Sequence, residues 1–145
     1  VKLQFVLVDI DHTVSDAAWR DHMVGVSSWD EYHRASEDDK PFHDIVGLVQ
    51  NLHHNYSVIG FTARPEKFRS LTMRWCIINH VPLDELLMRD YDNYEKAPET
   101  KANLIKKRFG PDIDQIAFAL EDRDDCCTML RGLGITVLQV FGGRR

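Results

Sequence analysis

At 145 residues the chain fits one domain, with room for a five-stranded sheet and flanking helices. A hydrophobic content of 43% and the lack of any apolar stretch long enough to span a bilayer exclude disordered and membrane-embedded classes. The net charge of −5 excludes a broad electrostatic grip on duplex nucleic acid, but not a small basic pocket for one phosphate or one strand end.

The N-terminus shows no signal-peptide pattern. Three cysteines, two of them adjacent (Cys126, Cys127), make no disulfide framework, so a cytoplasmic location is expected. Cys76 reads as core.

Taken in order, the chain opens on Phe5-Val6-Leu7-Val8-Asp9-Ile10-Asp11-His12-Thr13-Val14. The apolar run has no solvated face and reads as a central strand covered on both sides. Asp9 and Asp11 stand at its carboxyl end, where open α/β sheets place ligands. An acidic turn fits the same residues, since Asp and Thr favour turns and helix N-caps.

Residues 15–40 are polar and poorly periodic, with Trp19, Trp29 and Tyr32 scattered among Asp, His and Arg. They read as a surface excursion or a small lid. Pro41 is expected in the first turn of a helix whose apolar face is Ile45, Val46, Leu48, Val49 and Leu52. A second buried strand is predicted from Tyr56 to Phe61, ending at Thr62-Ala63-Arg64-Pro65. A helix follows from Glu66 to His80, then a short strand at Leu86-Leu87-Met88. Asn93 to Pro98 is a polar connection, and Glu99 to Phe109 a helix ended by Gly110-Pro111. Ile116 to Leu120 is a strand ending in Glu121-Asp122. Asp124 to Leu133 is a helix stopped at Gly134, and Ile135 to Phe141 the last strand. This alternation calls for an α/β fold with a doubly wound parallel sheet.

Three strands thus finish in polar or charged residues at one sheet edge. Asp9 is the candidate nucleophile, because a carboxylate can attack phosphorus and split one hard displacement into two easier ones. Asp11 would exchange the roles of acid and base. Two aspartates beside a phosphate need compensation, and a hard cation held by oxygen ligands, most plausibly Mg2+, provides it. Its ligands would be Asp9, Asp11 and Asp122, with Glu121 behind them or standing in for one. The run Glu121-Asp122-Arg123-Asp124-Asp125 also fits an acid-rich helix N-terminus.

Thr62 would hydrogen-bond a phosphoryl oxygen and Lys101 would neutralise charge, although a lysine early in a helix is more often solvated. Arg20 and Arg64 are candidate phosphate forks. His12 shapes the turn, and His53-His54 reads as a helix end.

Asp9-Ile10-Asp11-His12-Thr13, then Thr62, Lys101 and Glu121-Asp122 resemble, in order and context, the four motifs of the haloacid dehalogenase (HAD) superfamily. The first is written DxDx[TV]; glycine is common there where this chain has His12. Within the superfamily the chain is most similar to the 3′-phosphatase domains of phage polynucleotide kinases, over nearly its whole length. An arginine follows the nucleophile there by eleven residues, as Arg20 follows Asp9, and Thr62-Ala63-Arg64 matches the second motif. Arg74-Trp75, Val81-Pro82-Leu83, Met88-Arg89 and the stretch from Leu120 to Val140 also echo it. Ala97 stands where that family has an aspartate, and Glu121 replaces another.

The resemblance implies a Rossmann-like HAD fold of about five parallel strands with helices on both faces and a minimal cap. Residues 1–145 would form one phosphatase domain with its lid at 15–40. It implies a Mg2+-dependent phosphomonoesterase working through an aspartyl-phosphate, with Thr13, Arg20 and Arg64 binding substrate. The expected substrate is the 3′-phosphate of a polynucleotide end. The alternatives are a nucleotidase acting on free 5′- or 3′-mononucleotides and a non-catalytic module that binds phosphorylated ends.

Overall fold

The computed structural model describes residues 4–141; the ends of the expected 1–145 domain lie outside the described residues. Strand β1 (Phe5–Val8) is followed by a two-residue strand β2 (Ser15–Asp16), helix α1 (Trp29–Arg34) and a matching short strand β3 (Lys40–Pro41). Next come α2 (His43–Leu52), β4 (Ser57–Pro65), α3 (Arg69–Ile78) and β5 (Glu85–Arg89). The chain continues through α4 (Ala97–Phe109), β6 (Ile116–Glu121), α5 (Asp124–Gly132) and β7 (Val137–Gln139).

Five strands form one sheet in the order β5-β4-β1-β6-β7, every neighbouring pair parallel. β1 is central and closely covered, as its unbroken apolar run requires. Val6 and Val8 pack with Val46, Val49, Trp75 and Cys76 on the face carrying α2 and α3. Leu7 packs with Ile59, Phe61, Ile105, Phe109 and Leu130 on the face carrying α4 and α5. Alternate side chains of one strand therefore feed two cores. All three cysteines are buried and free, and burial raises the Cys76 thiol to about 12. No helix among the described residues is long and apolar enough to cross a membrane.

The elements agree with the sequence reading except at their ends and in the excursion. β1 stops at Val8, just before the acidic pair. Asp9 N–H still donates to Leu120 O at 3.0 Å, and then the Ile10 carbonyl gathers the amides of Thr13, Val14 and Ser15 in a tight loop. His12 turns that loop in the left-handed region at φ 63°, which is why glycine suits the position. Pro41 is not in a helix. It lies in β3 opposite Ser15, an edge position that tolerates the missing N–H, and α2 begins two residues later. β7 is three residues long where seven were expected.

The excursion is pinched at its base by β2 and β3 and is ordered inside. It contains a 3-10 turn at Ala18–Met23, then α1, then a second 3-10 turn at Ala35–Asp38. α1 starts with a capping box: Ser28 Oγ accepts from Glu31 N–H, and the Glu31 carboxylate accepts from Ser28 N–H.

Candidate active site

From β1 the chain builds outward through β4 and β5, then returns to the other side of β1 for β6 and β7. The carboxyl ends of β1 and β6 flank that switch point, and they deliver Asp9 and Glu121-Asp122. One carboxylate oxygen from each of Asp9, Glu121 and Asp122 lies within 4.8 Å of the others, and all three residues are buried.

Lys101 closes the cluster from α4. Its Nζ donates to Asp9 Oδ1 and Glu121 Oε2, each at 2.7 Å, over the ring of Phe61. Burial alone would lower the ammonium's pKa; the charges of Asp9 and Glu121 outweigh it and hold it well above the usual lysine range. Glu121 Oε1 meanwhile accepts the amides of Asp122 and Arg123 at 3.0 and 3.2 Å. Both Glu121 oxygens are thus engaged by donors, which fits a supporting carboxylate behind the ligand set.

Thr13 Oγ1 donates to Asp9 Oδ2 at 2.9 Å and lies 3.5 Å from Asp122 Oδ1. Burial, followed by the negative charges of Asp9 and Glu121, pushes the Asp122 carboxyl up to about 9. It therefore keeps a proton at neutral pH that a cation would displace. Carboxylate oxygens alone are the donor set of a hard divalent ion, so the residues fit magnesium.

The carboxylate of Asp11 stands outside that cluster, which departs from its expected place among the metal-ligating side chains. Two guanidiniums hold it instead. Arg64 Nη2 donates to Asp11 Oδ1 at 2.6 Å and Arg64 Nε to Oδ2 at 3.0 Å; Arg20 Nη2 reaches the same Oδ1. Burial would raise the Asp11 carboxyl, but Arg64 and then Arg20 outweigh it and hold it far below the carboxylate range. In this arrangement Asp11 is an ionised hydrogen-bond acceptor held by both arginines. Its side chain is 24% exposed while both arginines are fully covered, so it marks the mouth of the site.

Thr62, buried at the end of β4, accepts the Arg64 amide at 3.2 Å. Arg64 Nη1 donates to Thr72 in α3. The structure thus brings together Asp9, Thr13, Glu121, Asp122 and Lys101 on one side, and Asp11, Arg20 and Arg64 on the other.

Sequence reasoning missed Asp39. Its side chain is fully buried and forks Arg20. Sequence reasoning also missed the burial of Lys101, although the signal was present: Lys101, Ile105 and Phe109 fall at i, i+4 and i+8 on the covered face of α4. His33 is a third omission. Its ring is stacked against Trp29 and tilted on Phe68, its Nδ1 is buried with no hydrogen-bond partner, and burial lowers its pKa to about 4. Of the aromatics named in the excursion, Tyr32 covers the Arg20 guanidinium at 4.4 Å, while Trp19 and Trp29 are largely exposed.

The sequence matches the family described as the polynucleotide kinase PNKP phosphatase domain over residues 3–144. No curated protein matches the chain. A chain in the Pnkp1/Rnl/Hen1 complex superposes with a TM-score of 0.81 at 23% identity, over 99% of this chain and 48% of that one. A haloacid dehalogenase-like family hydrolase from Streptococcus pneumoniae gives 0.66 at 16% identity, covering 98% and 88% of the two chains. The HAD-hydrolase YfnB from Bacillus subtilis, bound to magnesium, gives 0.70 at 11%, covering 100% and 92%. At such identities these likenesses establish the fold, which is that of HAD hydrolases. This chain spans about half the length of the chain from the Pnkp1/Rnl/Hen1 complex.

Proposed function

The chain belongs to the polynucleotide kinase PNKP phosphatase domain family and is a HAD-type phosphatase, and from that premise we propose that it removes the 3′-phosphate from a nucleic-acid end. The observation that carries the chemistry is the Asp9–Lys101–Glu121 contact set beside Asp122, at the switch point of the sheet. We read residues 15–40 as a small cap on a single phosphatase unit.

Asp9 attacks phosphorus through a carboxylate oxygen as the bond from phosphorus to the leaving alcohol oxygen breaks, and Asp11 delivers a proton to that oxygen. In the second step Asp11 takes a proton from water while the water oxygen bonds to phosphorus. The Asp9–phosphorus bond then breaks and phosphate leaves. For Asp11 to act first as an acid, the phosphoryl oxygens must draw Arg64 or Arg20 off its carboxylate, which is the fork role assigned to both arginines. Thr62 and Lys101 supply donors to the phosphoryl oxygens and to Asp9. Asp9 and Asp122 would hold magnesium, with Glu121 behind them. When bound, the ion screens the carboxylates and the phosphoryl group from one another.

Two features favour a strand over a free nucleotide. Trp19 and Trp29 offer exposed rings on which bases can stack. Arg34, Lys67 and Arg74, against the single acid Glu37, line an open cavity of about 370 Å3 whose wall includes Phe68. Phe68 lies against His33, which in turn feels the charge of Asp11. Lys67 pairs with Asp30, but the exposed Arg34 and Arg74 carry no ion pair among the described residues.

The test is phosphate release from a 3′-phosphorylated oligonucleotide and from 3′- and 5′-mononucleotides, with magnesium. The oligonucleotide should be preferred. The Arg34→Ala/Arg74→Ala variant should lose roughly tenfold more kcat/KM on it than on a mononucleotide, with a shallower salt dependence. A preference for mononucleotides by orders of magnitude would replace this reading with that of a nucleotidase.

A further inference from the structure

The last residue of β5, Arg89, stands at the carboxyl edge of the sheet, and the chemistry above does not use it. Its guanidinium is half-buried and tied down by carbonyls. Nε donates at 2.8 Å to the carbonyl of Ala63, the residue between Thr62 and Arg64. Nη1 donates to Asn93 O at 3.2 Å and to Glu95 O, and lies 3.4 Å from Asn93 Oδ1. Carbonyls satisfy N–H groups but cancel no charge. Among the described residues Arg89 forms no ion pair and its Nη2 has no hydrogen-bond partner. Burial lowers its pKa against the pull of Glu95, whose carboxylate is engaged by Asn103 at 3.1 Å.

His33 connects this guanidinium to the site. Beyond its own burial, the His33 ring feels the charges of Asp11, Arg64, Arg20 and Arg89. The same ring packs on Phe68, a wall of the cavity lined by Arg34 and Arg74. Arg89 therefore shares its surroundings with the mouth that Asp11 marks.

We propose that Arg89 is a substrate-binding residue whose open Nη2 takes the phosphodiester on the 5′ side of the terminal nucleotide. This rests on the 3′-phosphatase reading above and names the second anion of its substrate. The terminal phosphate has Arg20, Arg64 and Lys101, all buried. A strand end differs from a nucleoside 3′-phosphate in carrying another phosphate one nucleoside away, and a further cation beside the mouth meets that difference. Because Nε and Nη1 are already held, the remaining edge is presented with little side-chain freedom left to lose. A purely structural staple accounts for the Nε and Nη1 contacts; it leaves Nη2 and the charge unused.

The probes are a nucleoside 3′-phosphate and the same nucleoside as its 3′,5′-bisphosphate, which adds the second anion and nothing else of a strand. With magnesium, the wild type should release the 3′-phosphate of the bisphosphate with about tenfold higher kcat/KM, chiefly through KM. Arg89→Gln should erase that preference. A preference that persists in Arg89→Gln overturns the proposal, as do equal losses on both nucleotides, the mark of a staple only.

If Arg89→Gln does not fold, a 3′-phosphorylated oligonucleotide whose last linkage is a neutral methylphosphonate carries the test, with Arg89→Lys as the variant. The neutral linkage should cost the wild type about tenfold and Arg89→Lys less, because lysine keeps the charge without the fixed edge. No cost in the wild type, or an equal cost in both proteins, overturns the proposal. If the wild type releases no 3′-phosphate at all, the 3′-phosphatase reading fails. The same comparisons are then read as affinities by calorimetry, where an advantage of the second anion that is lost or reduced in the variant still supports Arg89 and an unchanged one still refutes it.

Discussion

Asp11 and Asp122 are both aspartates at the mouth of one sheet, and their surroundings drive them in opposite directions. Asp11 meets two guanidiniums and stays ionised; Asp122 meets two carboxylates, and burial with their charge pushes it up to about 9. For Asp122 the folded state binds the proton more tightly than the unfolded chain. Its contribution to metal-free stability is therefore complete below the ordinary aspartate range, erodes as pH rises, and is lost above about pH 9. In chelator, the melting temperature of the wild type should accordingly fall relative to Asp122→Asn between pH 4 and pH 9. Magnesium should close that gap in the wild type, most at the alkaline end. Parallel melting curves at every pH would rule out the assigned environment of Asp122. At this scale the sequence was informative about residue types and poor about their partners. The DxD pair and the late acidic pair stand out at strand ends, whereas the buried fork from Asp39 to Arg20 joins residues nineteen apart inside a polar stretch without periodicity.

Elements were legible in proportion to their burial. β1, β4 and β6 are covered on both faces and write themselves as apolar runs; β7 pairs with one neighbour only and is shorter than its run of apolar residues suggests. The excursion buries few apolar side chains, so its order comes from polar contacts that hydrophobic periodicity does not register. One such signal was nevertheless there to be read, in Ser28-Trp29-Asp30-Glu31, a capping box at the start of α1. α1 has only six residues, too few to stand on propensity alone. Ser28→Ala should cost about 1 kcal/mol and speed amide exchange in residues 29–34 without touching α2 or α3. Unchanged exchange there would show that packing of Trp29, Tyr32 and His33, not the cap, holds the helix. Pro41 illustrates the opposite failure. Proline suits both a helix start and an edge strand, and only the pairing with Ser15 decides between them.

Across the whole molecule, the parallel sheet collects groups from distant parts of the chain at one edge: Asp9 and Thr13 after β1, Thr62 and Arg64 at the end of β4, Lys101 on α4, Glu121 and Asp122 at β6. A net charge of −5 is compatible with a phosphorylated substrate because three positive groups, Arg20, Arg64 and Lys101, are buried at that edge. The fold and the acidic centre could be anticipated from order and spacing alone. The grip of Asp39 on Arg20 could not, because it is a tertiary contact between polar groups. The proposed attack of Asp9 on phosphorus is tested most directly by magnesium-dependent phosphate release from an activated aryl phosphate by Asp9→Asn. Lys101 retains Glu121 in that variant, so the fold and melting behaviour should survive. Turnover should fall at least about a thousandfold; a folded Asp9→Asn protein that releases phosphate at a rate near that of the wild type would contradict the account.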